Sequence, residues 1–163
     1  MIDWKAVRML ITDVDGVLTD GSLYYDANGE SIKRFNVRDG LGIKRLMAAG
    51  VKCAVITGRT SQIVEARLRE LEYDAVLQGV IDKAAGLSRV RKLLPGIAAH
   101  EIAYIGDDVN DLPILALVGI PIAVADAADE VLRIARHVTA HVGGNGAVRE
   151  VCDLILAAKS GSV

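Results

Sequence analysis

The sequence is poor in aromatic residues, cysteine and proline. Aromatic side chains make up 4% of its 163 residues, and it has two cysteines and three prolines. The cysteines, Cys53 and Cys152, lie in apolar segments without the spacing of a metal site. This pattern argues against a disulfide framework and favours reduced thiols in the core of a cytoplasmic protein.

Long apolar runs and an excess of positive charge are also missing. No apolar segment reaches the length of a membrane span, and the first residues lack the basic-then-apolar pattern of a signal peptide. The formal net charge is -2, with both signs mixed along the chain. We therefore expect neither a membrane nor a nucleic acid as a partner.

Aliphatic residues are abundant instead. The sequence is 52% hydrophobic with a mean hydropathy of +0.33, so Ala, Val, Ile and Leu must build the core. Strand-like and helix-like segments alternate, which predicts one α/β domain over residues 1–163 with a doubly wound, Rossmann-like parallel sheet. Strands are predicted at 7–12, 51–56, 75–77, 102–105 and 122–124. Helices are predicted at 40–49, about 61–71, about 82–94, 112–118 and about 147–158.

Residues 22–37 interrupt this alternation. Two extended runs flank Asn28-Gly29, and Asn-Gly is a strong signal for a β-hairpin. The segment holds Tyr24, Tyr25 and the single phenylalanine, Phe35, although an isolated two-stranded ribbon is marginal in water. We expect the hairpins of several subunits to pack together; the alternative is a ribbon that folds back on its own sheet.

The first predicted strand ends abruptly at Asp13, Asp15 and Gly16. In open α/β sheets, chemistry collects just beyond the carboxyl ends of such strands. Two acids one residue apart repel each other and are costly to desolvate, and a divalent metal is the simplest cation to hold them. The alternative is that both are ordinary turn residues.

Other predicted elements also end or begin with polar groups. The second strand ends at Thr57-Gly58-Arg59, where the arginine offers a fork of donors suited to phosphate or carboxylate. Lys83 lies in the first turn of a helix, where a cation opposes the helix dipole by about 0.3–1 kcal/mol. We therefore expect an anion near Lys83. The alternative for Lys83 is a flexible side chain that reaches solvent, and the alternative for Thr57 is an ordinary residue at a strand end.

The fourth predicted strand ends with three further acids. They are Asp107, Asp108 and Asp111, with Asn110 between them. Five carboxylates at one sheet edge outnumber the local cations, and oxygen ligands beside a phosphate-like partner favour Mg²⁺. The alternative is a solvated acidic turn.

Taken in order, these four segments resemble the haloacid dehalogenase superfamily of phosphotransferases. The resemblance implies that Asp13 is a nucleophile that forms an aspartyl-phosphate, and that Asp15 is the general acid and base. It implies that Asp13, the backbone carbonyl of Asp15, and Asp107 bind Mg²⁺, while Thr57 and Lys83 hold the phosphoryl oxygens. In the same family, acids at the positions of Asp108 and Asp111 orient metal-bound water or the lysine.

The intervals between the motifs are too short for a cap domain. The capless branch with a hairpin at this place is the 3-deoxy-D-manno-octulosonate 8-phosphate phosphatase family, which this chain resembles in residues 13–21, 35–42, 57–59 and 143–150. This implies hydrolysis of a sugar phosphate that supplies lipopolysaccharide precursors. It also implies a homotetramer with central hairpins, in which neighbouring subunits complete each active site.

The resemblance also implies substrate contacts. They fall on Asp15, Asn36, Val37, Arg38, Asp39, Gly40, Arg59, Arg67, Lys83 and Asn110. Arg59 and Arg67 suit the carboxylate or the phosphate of a sugar acid phosphate. In the C-terminal tail, residues 143–163, the glycines at 143–146 form either a mobile cover over an active site or a turn that starts a helix.

Three other functions compete with this interpretation. A phosphatase for a nine-carbon sugar acid 9-phosphate is the nearest, but such relatives tend to carry an acid at the position of Arg59. A receiver-like signalling domain would carry a phosphoryl acceptor after the third strand, where this chain has Gln78-Gly79. A catalytically silent oligomeric scaffold would not need the full set of acids.

Overall fold

The computed structural model confirms the predicted doubly wound α/β fold. It describes residues 2–161; Met1 and residues 162–163, at the ends of the predicted domain and tail, lie outside the described residues. Within 2–161, six parallel strands form one sheet in the order β5-β4-β1-β6-β7-β8, and β2 and β3 form a separate antiparallel hairpin. The strands are β1 Met9–Thr12, β2 Tyr24–Asp26, β3 Gly29–Ile32, β4 Lys52–Ile56, β5 Ala75–Leu77, β6 Ile102–Gly106, β7 Ile120–Ala123 and β8 His137–Val138.

Helices separate the parallel strands, as predicted from the alternating pattern. They are α1 Val37–Ala48, α2 Gln62–Leu71, α3 Lys83–Leu93, α4 Leu112–Leu115, α5 Asp129–Ile134 and α6 Ala147–Ser160. α5 and β8 were not predicted, because a segment of six or two residues is too short to show a helical or strand period. Among residues 2–161, none of the helices combines the length and apolar character needed to cross a bilayer.

Helix α1 begins three residues earlier than its predicted start at residue 40. Asn36 is its N-cap and accepts a hydrogen bond from the backbone N–H of Arg38 at 2.8 Å. Capping by asparagine satisfies a backbone donor that the first helical turn leaves free. As a result, Val37, predicted as the last residue of the extended segment, lies in the first turn of α1 with the three residues that follow it.

The strand order places a crevice beside β1. The chain runs from β1 outward through β4 and β5, crosses back, and then runs through β6, β7 and β8. Thr12 at the end of β1 pairs with Val55 on β4 and with Ile105 on β6. The residues that follow β1, β4 and β6 therefore meet at one edge, at the point where the strand order reverses.

The hairpin is shorter than the predicted segment 22–37, and it packs in two ways. Phe35 packs against the core, and the side chain of Glu30 on β3 contacts Ser61 and Arg59 at the crevice. Leu23, Tyr24, Tyr25 and Ile32 remain 44–61% exposed. The ribbon thus folds back in part, while its apolar face stays uncovered within one protomer.

Residues 143–146 form a turn that starts α6, one of the two structures considered from the sequence. The N–H of Gly144 donates to the carbonyl of Val17 at 2.9 Å, and the N–H of Gly143 donates to Asp126 Oδ1 at 2.9 Å. Asp39 on α1 then accepts the N–H of Arg149 at 2.8 Å. These contacts fasten the turn to the loop after β1 and the start of α6 to α1.

Candidate active site

A cleft of about 250 Å³ opens at the carboxyl ends of β1, β4 and β6. It gathers residues from every sequence motif that follows one of these strands. Its lining consists of Asp13, Asp15, Gly21, Thr57, Gly58, Arg59, Asp107, Asp108 and Asn110. Side chains as far apart in the sequence as Asp13 and Asn110 therefore share one cleft, as the strand-end pattern predicted.

A buried lysine joins two of the acids beneath this cleft. Asp13 continues β1 by one step, since its N–H donates to the carbonyl of Ile105 at 3.1 Å. Lys83, the first residue of α3, donates through Nζ to Asp13 Oδ2 and Asp111 Oδ1. All three side chains are almost completely buried. The anion expected near Lys83 is present, and the lysine does not reach solvent.

Asp111 is held on both of its oxygens. The hydroxyl of Tyr104 donates to Oδ1 at 2.6 Å, and the N–H of Asp107 donates to Oδ2 at 2.9 Å. Burial, and then the neighbouring charge of Asp111, holds the pKa of Tyr104 well above its ordinary value, so the hydroxyl keeps its proton. A Cβ at Gly106 would lie 2.5 Å from Asp111 Oδ2, so only glycine leaves room for this arrangement.

The loop after β1 also approaches Asp107 closely. Gly16 has φ +84, and a Cβ there would lie 2.0 Å from Asp107 Oδ2. Glycine adopts this left-handed backbone conformation without steric cost and allows the contact. The acids of the first and fourth motifs thus meet because neither Gly16 nor Gly106 carries a side chain.

The cluster carries more negative charge than its single lysine balances. Burial, with Lys83 opposing and Asp111 adding to the effect, raises the pKa of Asp13 to about 6. Burial, followed by the charges of Asp111 and Asp13, raises the pKa of Asp107 to about 8. Burial alone would lower the pKa of Lys83, but Asp13 and Asp111 raise it above its ordinary value. A further cation would relieve the repulsion among these carboxylates.

The donor set fits a hard divalent cation. Carboxylate oxygens of Asp13, Asp107 and Asp111 all lie within 4.8 Å of one another. Oxygen ligands of this kind suit Mg²⁺, which usually takes a few carboxylates and completes its shell with water and phosphate. The side chain of Asp15 does not belong to this group. This agrees with the resemblance, which implied a metal contact through the backbone carbonyl of Asp15 and not through its side chain.

Asp15 is instead held from the hairpin. Lys33, which follows β3, donates through Nζ to Asp15 Oδ1, and its side chain is 0% exposed. Arg59 Nε lies 3.8 Å from Asp15 Oδ2. Each acid of the Asp13-x-Asp15 pair therefore has its own buried lysine, Lys83 for the first and Lys33 for the second.

Several predicted substrate contacts lie elsewhere in the protomer. Asn36, Asp39, Gly40 and Arg67 line a separate small cavity beside Phe35 and Leu18. Val37 is 78% exposed, and Arg38 lines a groove along α6. Within residues 2–161, none of these six residues lines the cleft that holds Asp13. Their role as substrate contacts stays a prediction.

Three side chains at the site were not predicted from the sequence: Lys33, Glu30 and Tyr104. The repulsion between Asp13 and Asp15 implied that a cation holds them, with a divalent metal as the simplest candidate, and this signal could also have prompted a search for a lysine. It could not have selected Lys33, because contact between Lys33 and Asp15 depends on how the hairpin lies on the sheet. Tyr104 carries no signal beyond being a polar aromatic residue in an apolar strand.

Comparison with known proteins supports the predicted family. Residues 73–151 match a model of haloacid dehalogenase-like hydrolases. The 3-deoxy-D-manno-octulosonate 8-phosphate phosphatase KdsC of Haemophilus influenzae is 48% identical over 156 residues, which cover 96% of this chain and 86% of that protein. The protein of the same name from Escherichia coli K12 is 46% identical over 153 residues, which cover 94% of this chain and 81% of the relative.

Solved structures agree with this assignment. The cobalt-bound phosphatase of Haemophilus influenzae aligns with a TM-score of 0.94 at 47% identity, over 98% of this chain and 93% of that one. The Moraxella catarrhalis phosphatase, in complex with magnesium, phosphate and KDO, aligns with a TM-score of 0.92 at 40% identity, over 98% and 91%. The chain therefore belongs to the 3-deoxy-D-manno-octulosonate 8-phosphate phosphatase family of haloacid dehalogenase-like hydrolases.

Proposed function

We propose that this chain is a cytoplasmic, Mg²⁺-dependent phosphatase that hydrolyses 3-deoxy-D-manno-octulosonate 8-phosphate to the free sugar acid and phosphate. The reaction would supply the sugar for lipopolysaccharide precursors. The observation that carries the proposal is the buried Asp13 carboxylate, paired with Lys83 beside Asp107 at the base of one cleft. The relatives that match almost the whole chain are named for this activity.

The reaction proceeds in two steps that share Asp13 and Asp15. In the first, a carboxylate oxygen of Asp13 attacks phosphorus, the P–O ester bond breaks, and Asp15 gives its proton to the leaving oxygen. In the second, Asp15 takes a proton from water, the water oxygen attacks phosphorus, and the bond between phosphorus and Asp13 breaks. Phosphate leaves and both carboxyl groups return to their starting states.

The charged groups beside Asp13 stabilise the phosphoryl group during both steps. Lys83 and Thr57 hold its oxygens, and Lys83 is itself fixed by Asp111. Asp13, Asp107 and the backbone carbonyl of Asp15 would hold Mg²⁺, which offsets negative charge on the phosphoryl group and on the carboxylates. Asp111 acts as a positioning group, since its oxygens accept from Lys83, Tyr104 and the N–H of Asp107.

Arg59 favours a sugar acid as the substrate. Its side chain is 46% exposed at the cleft, where its guanidinium can bind a carboxylate through two parallel hydrogen bonds. The nine-carbon sugar acid phosphate is the second candidate because it also carries a carboxylate. No observation on the site favours it over the eight-carbon substrate.

Steady-state kinetics tests the proposal directly. Turnover of the eight-carbon sugar acid phosphate, the nine-carbon sugar acid phosphate and an aryl phosphate is measured with Mg²⁺ and with EDTA. We expect activity to require Mg²⁺, and kcat/KM to favour the eight-carbon substrate by about tenfold or more. Activity that survives EDTA would contradict the Mg²⁺ dependence, and a preference for the nine-carbon substrate would replace the substrate assignment.

We also propose that the chain forms a homotetramer through its hairpins. Support comes from the exposed side chains of Leu23, Tyr24, Tyr25 and Ile32, since exposed apolar patches of this kind mark interaction surfaces. A neighbouring subunit that packs on this face would bring its own residues, such as Asn36–Gly40, towards the cleft of the first subunit. Within one protomer, these residues do not line the cleft.

Sedimentation tests the assembly. We expect a tetramer at micromolar concentration and a smaller species for Ile32→Glu, which places a charge on the exposed apolar face of the hairpin. Leu93→Glu is the matched control, because Leu93 is 60% exposed on α3, away from the hairpin. A wild-type chain that sediments as a stable monomer would contradict the proposal.

A further inference from the structure

A chain of alternating charges runs from the hairpin to the cleft. Asp15 Oδ1 accepts from Lys33 Nζ, and Lys33 Nζ also lies 3.0 Å from Glu30 Oε1. The same oxygen of Glu30 lies 3.4 Å from Arg59 Nη2, and Arg59 Nε lies 3.8 Å from Asp15 Oδ2. Two carboxylates and two cations therefore close a ring of four contacts, each between groups of opposite charge.

Two neutral side chains, one on the body of the protein and one on the hairpin, add further contacts between the ring and these two parts. Glu30 Oε2 accepts from the hydroxyl of Ser61 at 2.8 Å, and Arg59 donates to the hydroxyl of Tyr25 at 3.0 Å. Ser61 stands at the N-cap position of α2, but its side chain accepts no backbone hydrogen bond from that helix, all of whose residues are described. The hydroxyl serves the hairpin instead of capping the helix.

The position of Lys33 separates it from groups that touch substrate. Its side chain is 0% exposed, and it is absent from the lining of the cleft, whereas Asp15 is 21% exposed and lines that cleft. A buried ammonium is costly to desolvate unless carboxylates pair with it, and Asp15 and Glu30 do so here. Lys33 therefore supports Asp15 from the side that faces away from the cleft.

We propose that Lys33, itself held by Glu30, is a positioning residue that orients Asp15 to deliver its proton to the leaving oxygen. This inference rests on the proposed function, in which Asp15 is the general acid. Lys33 occupies Oδ1 and fixes the rotation of the carboxyl group, which leaves Oδ2 with the longer contact to Arg59. The hairpin is thereby a working part of the active site within each protomer, in addition to any role in assembly.

The test uses two substrates that differ only in the leaving group. Phenyl phosphate and p-nitrophenyl phosphate have nearly the same shape, but phenoxide is the more basic leaving group and gains more from protonation. The ratio of their kcat/KM values reports on proton transfer to the leaving oxygen, because kcat/KM contains only steps up to the first irreversible one. A lost general acid therefore slows phenyl phosphate more.

The decisive variant is Lys33→Met, which keeps the length of the side chain and removes its charge. We expect kcat/KM for phenyl phosphate to fall about tenfold further than kcat/KM for p-nitrophenyl phosphate. Lys33→Arg restores a cation and should return the ratio towards the wild-type value. Lys44→Met removes an exposed lysine on α1 and should leave both substrates unchanged.

A second variant covers the case in which Lys33→Met does not fold. Glu30→Gln keeps the shape of the side chain but removes the negative charge that pairs with Lys33. We therefore expect it to shift the ratio of the two kcat/KM values in the same direction as Lys33→Met, by a smaller factor. Equal losses on both substrates in either folded variant would show that Lys33 does not act on proton transfer to the leaving oxygen and would overturn the inference. A wild-type enzyme inactive on every phosphate ester would instead overturn the proposed function.

Discussion

Two buried lysines, Lys83 and Lys33, each hold one acid of the Asp13-x-Asp15 pair, but they come from different kinds of structure. Lys83 begins α3, inside the doubly wound frame, and it donates to the same oxygen of Asp111 as the hydroxyl of Tyr104. Lys33 follows a two-stranded hairpin whose apolar face is exposed. The same electrostatic task is therefore performed once by the core and once by an appended ribbon.

The difference predicts unequal sensitivity to change. Lys83 contacts residues that follow the central strands β1 and β6, which we expect to unfold only with the whole domain. A two-stranded hairpin, in contrast, can unfold locally. Loss of Lys83 should therefore disturb both stability and chemistry, and loss of Lys33 should disturb mainly the chemistry of Asp15.

Asp13→Asn removes the carboxylate that Lys83 holds and should abolish turnover. We expect kcat to fall by roughly 10⁴-fold or more, because an amide does not attack phosphorus. Circular dichroism should show an intact fold, since the amide keeps the shape and lowers the local negative charge. Asp129→Asn, at an exposed position on α5, is the control. Measurable turnover near the wild-type rate would refute the nucleophile assignment.

Lys83→Met should lower both activity and stability. We expect kcat/KM to fall roughly 10²- to 10³-fold, because a cation beside the phosphoryl group is lost. Breaking a buried ion pair also leaves Asp13 and Asp111 facing each other, which costs about 3 kcal/mol in the free energy of unfolding.

The control for this variant is Lys92→Met, an exposed position on the same helix. Urea unfolding gives the stability, and steady-state kinetics gives the activity. If Lys83→Met proved no more damaging than Lys33→Met in both measurements, the contrast between frame and hairpin would be wrong.

Tyr104→Phe deletes one hydroxyl group from the frame around Lys83. The hydroxyl donates to Asp111 Oδ1 at 2.6 Å, and a hydrogen bond to a charged group contributes about 1.5–3 kcal/mol. We expect kcat/KM to fall about tenfold, with KM nearly unchanged, because Lys83 is less well fixed. Tyr73→Phe is the control, since Tyr73 donates no hydrogen bond to Asp13, Asp107 or Asp111.

The response to Mg²⁺ should depend on pH through the acids on the Lys83 side. The pKa of Asp107 is raised from 3.8 to about 8, so without metal the folded state holds a proton that the unfolded chain releases. This group therefore favours the folded state at low pH, and that contribution is lost as pH rises towards about 8. Mg²⁺ needs the ionised carboxylates and competes with this proton.

We therefore expect Mg²⁺ to raise the melting temperature more at about pH 8 than at about pH 6. Displacement of one proton changes the apparent affinity by up to about tenfold per pH unit below the pKa. Differential scanning calorimetry at both values, with Ca²⁺-free buffers and an EDTA control, provides the measurement. Lys33→Met should show the same pH dependence, because Lys33 contacts none of the clustered acids. A larger shift at the lower pH would contradict the assignment.

Much of the frame follows from the sequence because its signals are local. Buried strands that end in acids mark β1 and β6, and the alternation of strands and helices predicts a parallel sheet whose carboxyl ends share one edge. That reasoning correctly brings Asp13, Thr57, Lys83 and Asp107 together. The short elements α5 and β8 escaped it, since neither is long enough to show a period.

The substrate contacts show where such reasoning stops. Asn36 is a helix cap, Asp39 accepts N–H groups at the start of α6, and Gly40 packs against Arg67. Each residue therefore has a structural role inside its own protomer that a family motif does not reveal. Whether a neighbour brings any of them to a cleft depends on the assembly.

By itself, the sequence determined the alternation of the longer strands and helices, the acids at the strand ends and the need for a cation beside them, since these depend on residue type and spacing along the chain. Only the tertiary structure decided that Lys33 supplies the second cation, that Tyr104 fixes Asp111, and that Arg67 lies outside the cleft. The physical reason is that such contacts join residues distant in sequence, and their geometry is set by how the hairpin and helices pack on the sheet.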